Sequence, residues 1–190
     1  MKRNIFLSFR PEFFRPILYG IKKYEYRKRF CKEATTAFLY LSAPVKEVIG
    51  LMELGKPIDL TSMQQQYAKN PEVLKRIESS INGREILAIP IESFQMFKEP
   101  VPISKLKEIE PKFNVPQCYL NIENFQNVFE FLNKQEKYEK EFINDHKNIY
   151  ESNFCMTCKA MELTSEFKQK DIQYTSNVKY KIIKSGYINK

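Results

Sequence analysis

The chain has 190 residues, 43% hydrophobic and 28% charged, which fits one ordinary domain with an appendage and excludes a disordered chain. No apolar run approaches the ~18 residues of a membrane helix, and residues 1–9 lack a signal-peptide h-region, so a cytoplasmic protein with no membrane partner is expected. The net charge of +8 is concentrated: residues 1–33 hold ten Lys/Arg against three Glu, while the other 157 residues hold 21 bases and 20 acids, and such a local field suits a polyanionic partner.

Residues 4–9 are short, apolar and aromatic, and read as a strand. Pro11 and Glu12 suit the first turn of a helix whose apolar face is Phe13, Phe14, Ile17 and Leu18, and Gly20 ends it. Residues 22–30 alternate, with Tyr24 and Tyr26 on one side and Lys23, Glu25, Arg27 and Arg29 on the other. Two buried-looking strands follow at 37–42 and 48–54, and Gly50 inside the second predicts a bulge or a close backbone approach. A helix capped by Thr61 or Ser62 runs to about Ser79 and splits at Asn70-Pro71. Asn82-Gly83 is a turn, residues 86–97 are a long strand, Ser104 caps a short helix, and 118–122 read as a last strand. Ile122, Phe125, Val128, Phe129 and Leu132 then begin a long helix, amphipathic at first and charged through 134–147. Beyond it lie Cys155-Met-Thr-Cys158, a polar helical stretch near 162–170 and a strand at 178–183.

This order predicts an α+β fold, a small β-barrel with flanking helices, and a C-terminal helical and β extension. The expected divisions are a barrel domain over 1–125, the long helix over 126–147 and the extension over 148–190. The extension has too few patterned apolar positions for a core of its own, so it is expected to dock on the barrel or another chain and to be separable by truncation near Asp145.

Gly20-Ile-Lys22-Lys-Tyr-Glu25-Tyr-Arg27 fits the pattern G-x-K-x-x-E-x-R. Around it stand a Pro-initiated helix, a Tyr-Leu-Ser-Ala-Pro strand end, a Val-Ile-Gly-Leu-Met-Glu strand and a Pro-Ile-Ser-Lys-Leu helix. In these features residues 4–122 resemble the ASCH (activating signal cointegrator homology) family of the PUA-like superfamily. The resemblance implies a PUA-like β-barrel of five to six strands with a cleft beside the first helix, into which the charged residues of the signature project.

Strand periodicity supports the same site: with Tyr24 and Tyr26 toward the core, Glu25 and Arg27 share the opposite face, and Lys22 is within reach from the preceding turn. Arg can grip phosphate while Glu accepts from an exocyclic amine. The candidate ligand-binding residues are therefore Lys22, Lys23, Glu25, Arg27, Arg29 and Arg10. The leading function is binding of RNA, or of a nucleoside or nucleotide, in a basic cleft, as in RNA metabolism or gene regulation. The alternatives are a small amidohydrolase on an acylated nucleoside such as acetylcytidine, and a protein-interaction adaptor. Acylcytidine hydrolases related to ASCH carry Thr where this chain has Glu25. Hydrolysis here would therefore use Glu25 as general base and Lys22 as oxyanion support, with Glu72 or Glu78 as second carboxylate. No metal or cofactor is expected. His146 is the lone histidine and reads as a surface residue, the four cysteines are too sparse for a disulfide framework or a full zinc set, and no phosphate-binding glycine loop is present.

Overall fold

In the computed structural model, which describes residues 2–180, strand β1 (Arg3–Phe9) buries both of its faces. Ile5, Leu7 and Phe9 enter one apolar cluster and Phe6 another, as a period of two requires. β3 (Thr35–Leu41) repeats this, with Ala37, Leu39 and Leu41 on the first side and Phe38 and Tyr40 on the second. β1 and β3 run parallel, Ile5 opposite Ala37. With β2 (Tyr24–Arg27), β4 (Glu47–Leu54), β6 (Leu87–Pro102) and β7 (Tyr119–Asn121), they form a sheet of order β2-β6-β4-β3-β1-β7. The two-residue β5 (Ile58–Asp59) and β8 (Lys137–Ile143) also pair with β6, so eight strands curl into an open barrel.

Bulges in β4 and β6 produce the curl. In β4 the inward residue is Ile49 before Gly50 but Met52 and Leu54 after it, so inward parity switches from odd to even across the glycine. A Cβ on Gly50 would lie 2.2 Å from the Gln95 carbonyl oxygen, which is the close approach the sequence predicts. β6 makes the same switch, Ile89 and Ile91 being followed inward by Phe94 and Met96.

Helix α1 (Phe14–Leu18) follows a single 3₁₀ turn begun by Pro11 and sends Phe14, Ile17 and Leu18 into the first cluster. α2 (Leu60–Gln66) and α3 (Pro71–Asn82) are the two halves of the helix interrupted at Asn70-Pro71. They cover the face of β2 that carries Tyr24 and Tyr26, making a third cluster. α4 (Ile103–Ile109) and α5 (Gln126–Asn133) cover the outer face of the barrel through Leu106, Val128 and Leu132.

Several expectations change. The helix expected over 126–147 stops at Asn133, and residues 137–143 form β8 instead. The alternating charges favour a helix locally, but Tyr138 and Phe142 pack on the first cluster from a strand that fills the free edge of β6. Strand β2 is shorter than 22–30. Asp59, not Thr61 or Ser62, caps α2, its carboxylate accepting the Thr61 N–H at 2.8 Å. Pro102, not Ser104, stands at the start of α4. Helices α6 (Cys158–Glu162) and α7 (Ser165–Thr175) replace the single helical stretch near 162–170. Of the strand expected at 178–183, Val178–Tyr180 is a 3₁₀ turn and 181–183 lie outside the described residues. Among the described residues no helix is long and apolar enough to cross a membrane.

Candidate functional site

The site begins at the end of α1. Gly20 takes φ +66°, a left-handed conformation that costs a glycine little, and reverses the chain. The Ile21 and Lys22 N–H groups then both donate to the Pro16 carbonyl, at 3.0 and 2.8 Å. That turn aims Lys22 back across β2. Its ammonium lies 3.4 Å from Glu25 Oε2, while Arg27 Nε donates to Glu25 Oε1 at 2.7 Å. One carboxylate thus joins two cations, and the Lys22 and Glu25 side chains are only 8% and 9% exposed. This is not the exposed pairing that contributes little to folding: removing one partner of a buried pair leaves an uncompensated charge. Burial opposes the charged form of Lys22, but Glu25, Cys158 and Glu85 together outweigh it, and the ammonium is held above its ordinary value.

Glu25 stands between two adjoining chambers. The first, of about 490 Å³, has Phe9, Phe13, Val115 and Pro116 among its apolar walls and Arg10, Arg27, Lys28 and Arg84 as its cations, with Glu25 and Glu85 as its carboxylates. Two of the cations lie over rings: the Arg27 guanidinium is 5.2 Å from the centre of Phe9, and that of Arg10 is 4.7 Å from the centre of Phe13. Arg27 also donates to the Ser8 carbonyl at 3.3 Å. The second chamber, of about 250 Å³, is reached past Phe13, Glu25, Tyr26 and Glu85, and contains Lys22 and Arg76. Desolvation holds the Glu85 carboxyl above the usual carboxylate range, although Lys22 pulls it down.

Residues 144–180 pack directly behind this site. The Tyr24 and Tyr26 hydroxyls accept the N–H groups of Tyr150 and Cys155, at 3.2 and 2.6 Å, and Phe154 is fully buried against both rings. Arg76 donates to the Ser152 and Glu151 carbonyls at 3.0 and 2.9 Å. Cys155, Met156, Thr157 and Cys158 form one wall of the second chamber.

Of the residues singled out from the sequence, Lys22, Glu25, Arg27 and Arg10 are brought together. Lys23 is not among them: it donates to Asn144 Oδ1 at 2.7 Å and lies over Tyr150. Arg29 is exposed outside both chambers, because β2 and its alternation end at Arg27. Glu72 and Glu78 are exposed, and Glu85 is the second carboxylate. Sequence reasoning missed Lys28, Arg76, Arg84 and Glu85. The register Arg27↔Leu87 brings residues 84–86 beside the signature, and that pairing has no local sequence mark. His146 is half-buried rather than solvated, with Nε2 2.9 Å from the Ile91 carbonyl oxygen and its ring edge-on to Tyr24 and Tyr150. Among the described residues no three His, Cys, Asp or Glu side chains gather as a metal site.

No family model matches the chain. A curated protein of Zymomonas mobilis, an ASCH domain-containing ribonuclease, is 28% identical over 122 residues, spanning 61% of this chain and 82% of that protein. The crystal structure of a serine-to-alanine mutant of ASCH from Z. mobilis superposes with a TM-score of 0.50 at 25% identity, covering 68% of this chain and 96% of that one. The barrel is thus similar to an ASCH domain in sequence and in fold. A tyrosine-to-phenylalanine mutant from the same organism shares the fold, with a TM-score of 0.52 at 20% identity over 71% of this chain and 100% of that one. More than a quarter of this chain therefore extends beyond that ASCH structure.

Proposed function

We propose that the ASCH-like barrel binds RNA in the first chamber, the strand's phosphates lying along Arg10, Arg27, Lys28 and Arg84. The observation that carries this reading is the lining itself: four cations face two carboxylates, and two of the guanidinium groups lie over aromatic rings. Positive charge neutralises the backbone, and a guanidinium plane backed by a ring is a surface on which an unpaired base can stack. The ribonuclease name of the Z. mobilis relative supports an RNA-related role.

Fluorescence anisotropy with a labelled single-stranded RNA tests it. With about four phosphate contacts the log–log salt slope is expected near −3. Replacing the exposed Arg10, Lys28 or Arg84 with Ala should each reduce the slope by about 0.7 while the melting temperature stays within a degree or two. A flat salt response, or no binding at low salt, would sink the reading.

A second reading, RNA cleavage, is favoured by Glu25 and Glu85 facing Lys22 beside the chamber. There one carboxylate, Glu25, would take the proton of an attacking 2′-hydroxyl as its oxygen bonds to phosphorus, the ammonium would meet the charge growing on a phosphate oxygen, and the P–O5′ bond would break with a proton delivered to the leaving oxygen by the other carboxyl, Glu85. Incubation of end-labelled RNA with the wild type and with Glu85→Gln separates this from binding alone: cleavage by the first and loss of cleavage in the second is the expected pattern. Intact RNA after incubation with the wild type leaves binding as the function.

A further inference from the structure

The two chambers differ in charge. The first carries an excess of cations, whereas in the second Lys22 and Arg76 are balanced by Glu25 and Glu85. A balanced recess gives no net attraction to a phosphate, which the first chamber already favours. It is nonetheless polar and ring-lined. The Ser79 and Ser80 hydroxyls, the Lys22 ammonium and the two carboxylates offer donors and acceptors, and Phe13, Tyr26 and Met156 add apolar lining, with the Lys22 ammonium 5.3 Å from the centre of the Tyr26 ring. A neutral, planar group with several hydrogen-bonding edges matches that chemistry, and a nucleobase is such a group.

The wall opposite α3 is also held in place. Cys155 has φ +54° and Arg84, beside Glu85 at the junction of the chambers, has φ +67°. Left-handed backbone costs a non-glycine residue about 1 kcal/mol or more, so both need support from their surroundings. Cys155 receives it from the Tyr26 hydroxyl, which accepts its N–H at 2.6 Å, and from Phe154 packed against Tyr24 and Tyr26. The residues that form the wall thus lie in the C-terminal segment but are fixed by the tyrosines of the signature strand.

We propose that the second chamber takes a single unstacked base of an RNA strand whose phosphates lie along the first, and that residues 155–158 form its specificity-determining wall. This rests on the RNA-binding reading above and adds to it a place where the base is held. The strand turns at Glu25, its sugar-phosphate on the Arg27 side and its base on the Lys22 side.

Competition against labelled RNA tests this with the full chain, using the four nucleoside 5′-monophosphates and ribose 5-phosphate, which has the phosphate and sugar without the base. The wild type should bind the best nucleotide about tenfold or more tightly than ribose 5-phosphate, the scale of one well-stacked base. Ser79→Trp, an exposed position on α3 from which an indole fills the chamber, should bring that ratio close to one. Met156→Ala should lower it severalfold and change the order of preference among the four nucleotides. Melting curves establish that both variants are folded; if Ser79→Trp is not, Met156→Ala alone carries the test. RNA binding with ribose 5-phosphate competing as well as the nucleotides overturns the base chamber but not the RNA reading. A ratio untouched by a folded variant also overturns it, and a wild type that binds no RNA overturns both.

Discussion

Between Arg3 and Asn121 the strands are joined through backbone pairing in registers that run from one edge of the sheet to the other, whereas residues 144–180 add no strand to it. Apart from the Asn144 N–H, which donates to the Glu92 carbonyl at 2.7 Å, the second region holds on largely through bonds that involve a side chain. Asn144 Nδ2 donates to the Ile91 carbonyl at 2.8 Å, Asn153 Nδ2 to the Ile21 carbonyl at 3.0 Å, and the Tyr24 and Tyr26 hydroxyls accept two of its N–H groups. Arg15 and the Tyr19 hydroxyl meet the Asp171 carboxylate at 2.9 and 2.7 Å. Its buried hydrophobic residues, Phe154, Cys155, Met161, Phe167 and Tyr180, belong to clusters most of whose buried members lie between Ile5 and Met96. A segment without a core of its own is thus placed by anchors that reach atoms of the barrel already held by others.

The largest expected effect comes from removing the anchor. Phe154→Ala deletes a fully buried ring that touches Tyr24, Tyr26 and Tyr67, and should cost about 3–5 kcal/mol in one cooperative melt. If the C-terminal segment were only loosely docked, limited proteolysis near 150–160 would rise while the melting of the barrel stayed put, and the comparison would break. A change within the sheet makes the contrast. Gly50→Ala drives a methyl against the Gln95 carbonyl and should cost about 1–3 kcal/mol by chemical denaturation, with the cleft's ligand affinity unchanged.

The smallest effect is in alkali and resides where the two regions touch. Burial pushes the Cys155 thiol up to about 11 from 9.0, and burial also holds the Tyr26 phenol well above 10.0. Both groups keep their protons longer in the fold than in the unfolded chain. Their contribution is therefore complete below about pH 9 and is lost as pH rises, first through the 9–11 window of the thiol and then beyond 10 for the phenol. Lys22, raised above 10.5, adds a loss of the same sign at the alkaline end. Melting temperature measured from pH 8 to 11 should fall, and Cys155→Ala should flatten the curve between 9 and 11. An equally steep fall in that variant would show that the junction does not govern alkaline stability.

Much of the barrel was legible because its signals are local. Short apolar runs marked β1 and β3, Asn70-Pro71 marked the break between α2 and α3, and Gly20 and Gly50 marked the turn and the close approach. The meeting of Lys22, Glu25 and Arg27 was legible for the same reason, since a turn and a strand period fix all three. What escaped depends on residues distant in sequence. β8 is a strand because β6 offers it an edge, and Arg84 and Glu85 reach the cleft because Leu87 pairs with Arg27. The wall at 155–158 belongs to a stretch with no clear period, held by two tyrosine hydroxyls more than a hundred positions away.

The pairing of β2 also sets an order of events during synthesis. β3 pairs with β1 on one side and β4 on the other, and the sequence of these three strands is complete at Leu54. β2 lies earlier in the chain, yet its ladder partner is Leu87–Pro90 of β6. Translation at roughly 5–20 residues per second leaves the signature strand waiting for some seconds after it is made. Until then Lys22, Glu25 and Arg27 are an open basic segment without a cleft around them. The nascent chain presents its charge before it presents its site, and a polyanion near the ribosome meets the first in advance of the second.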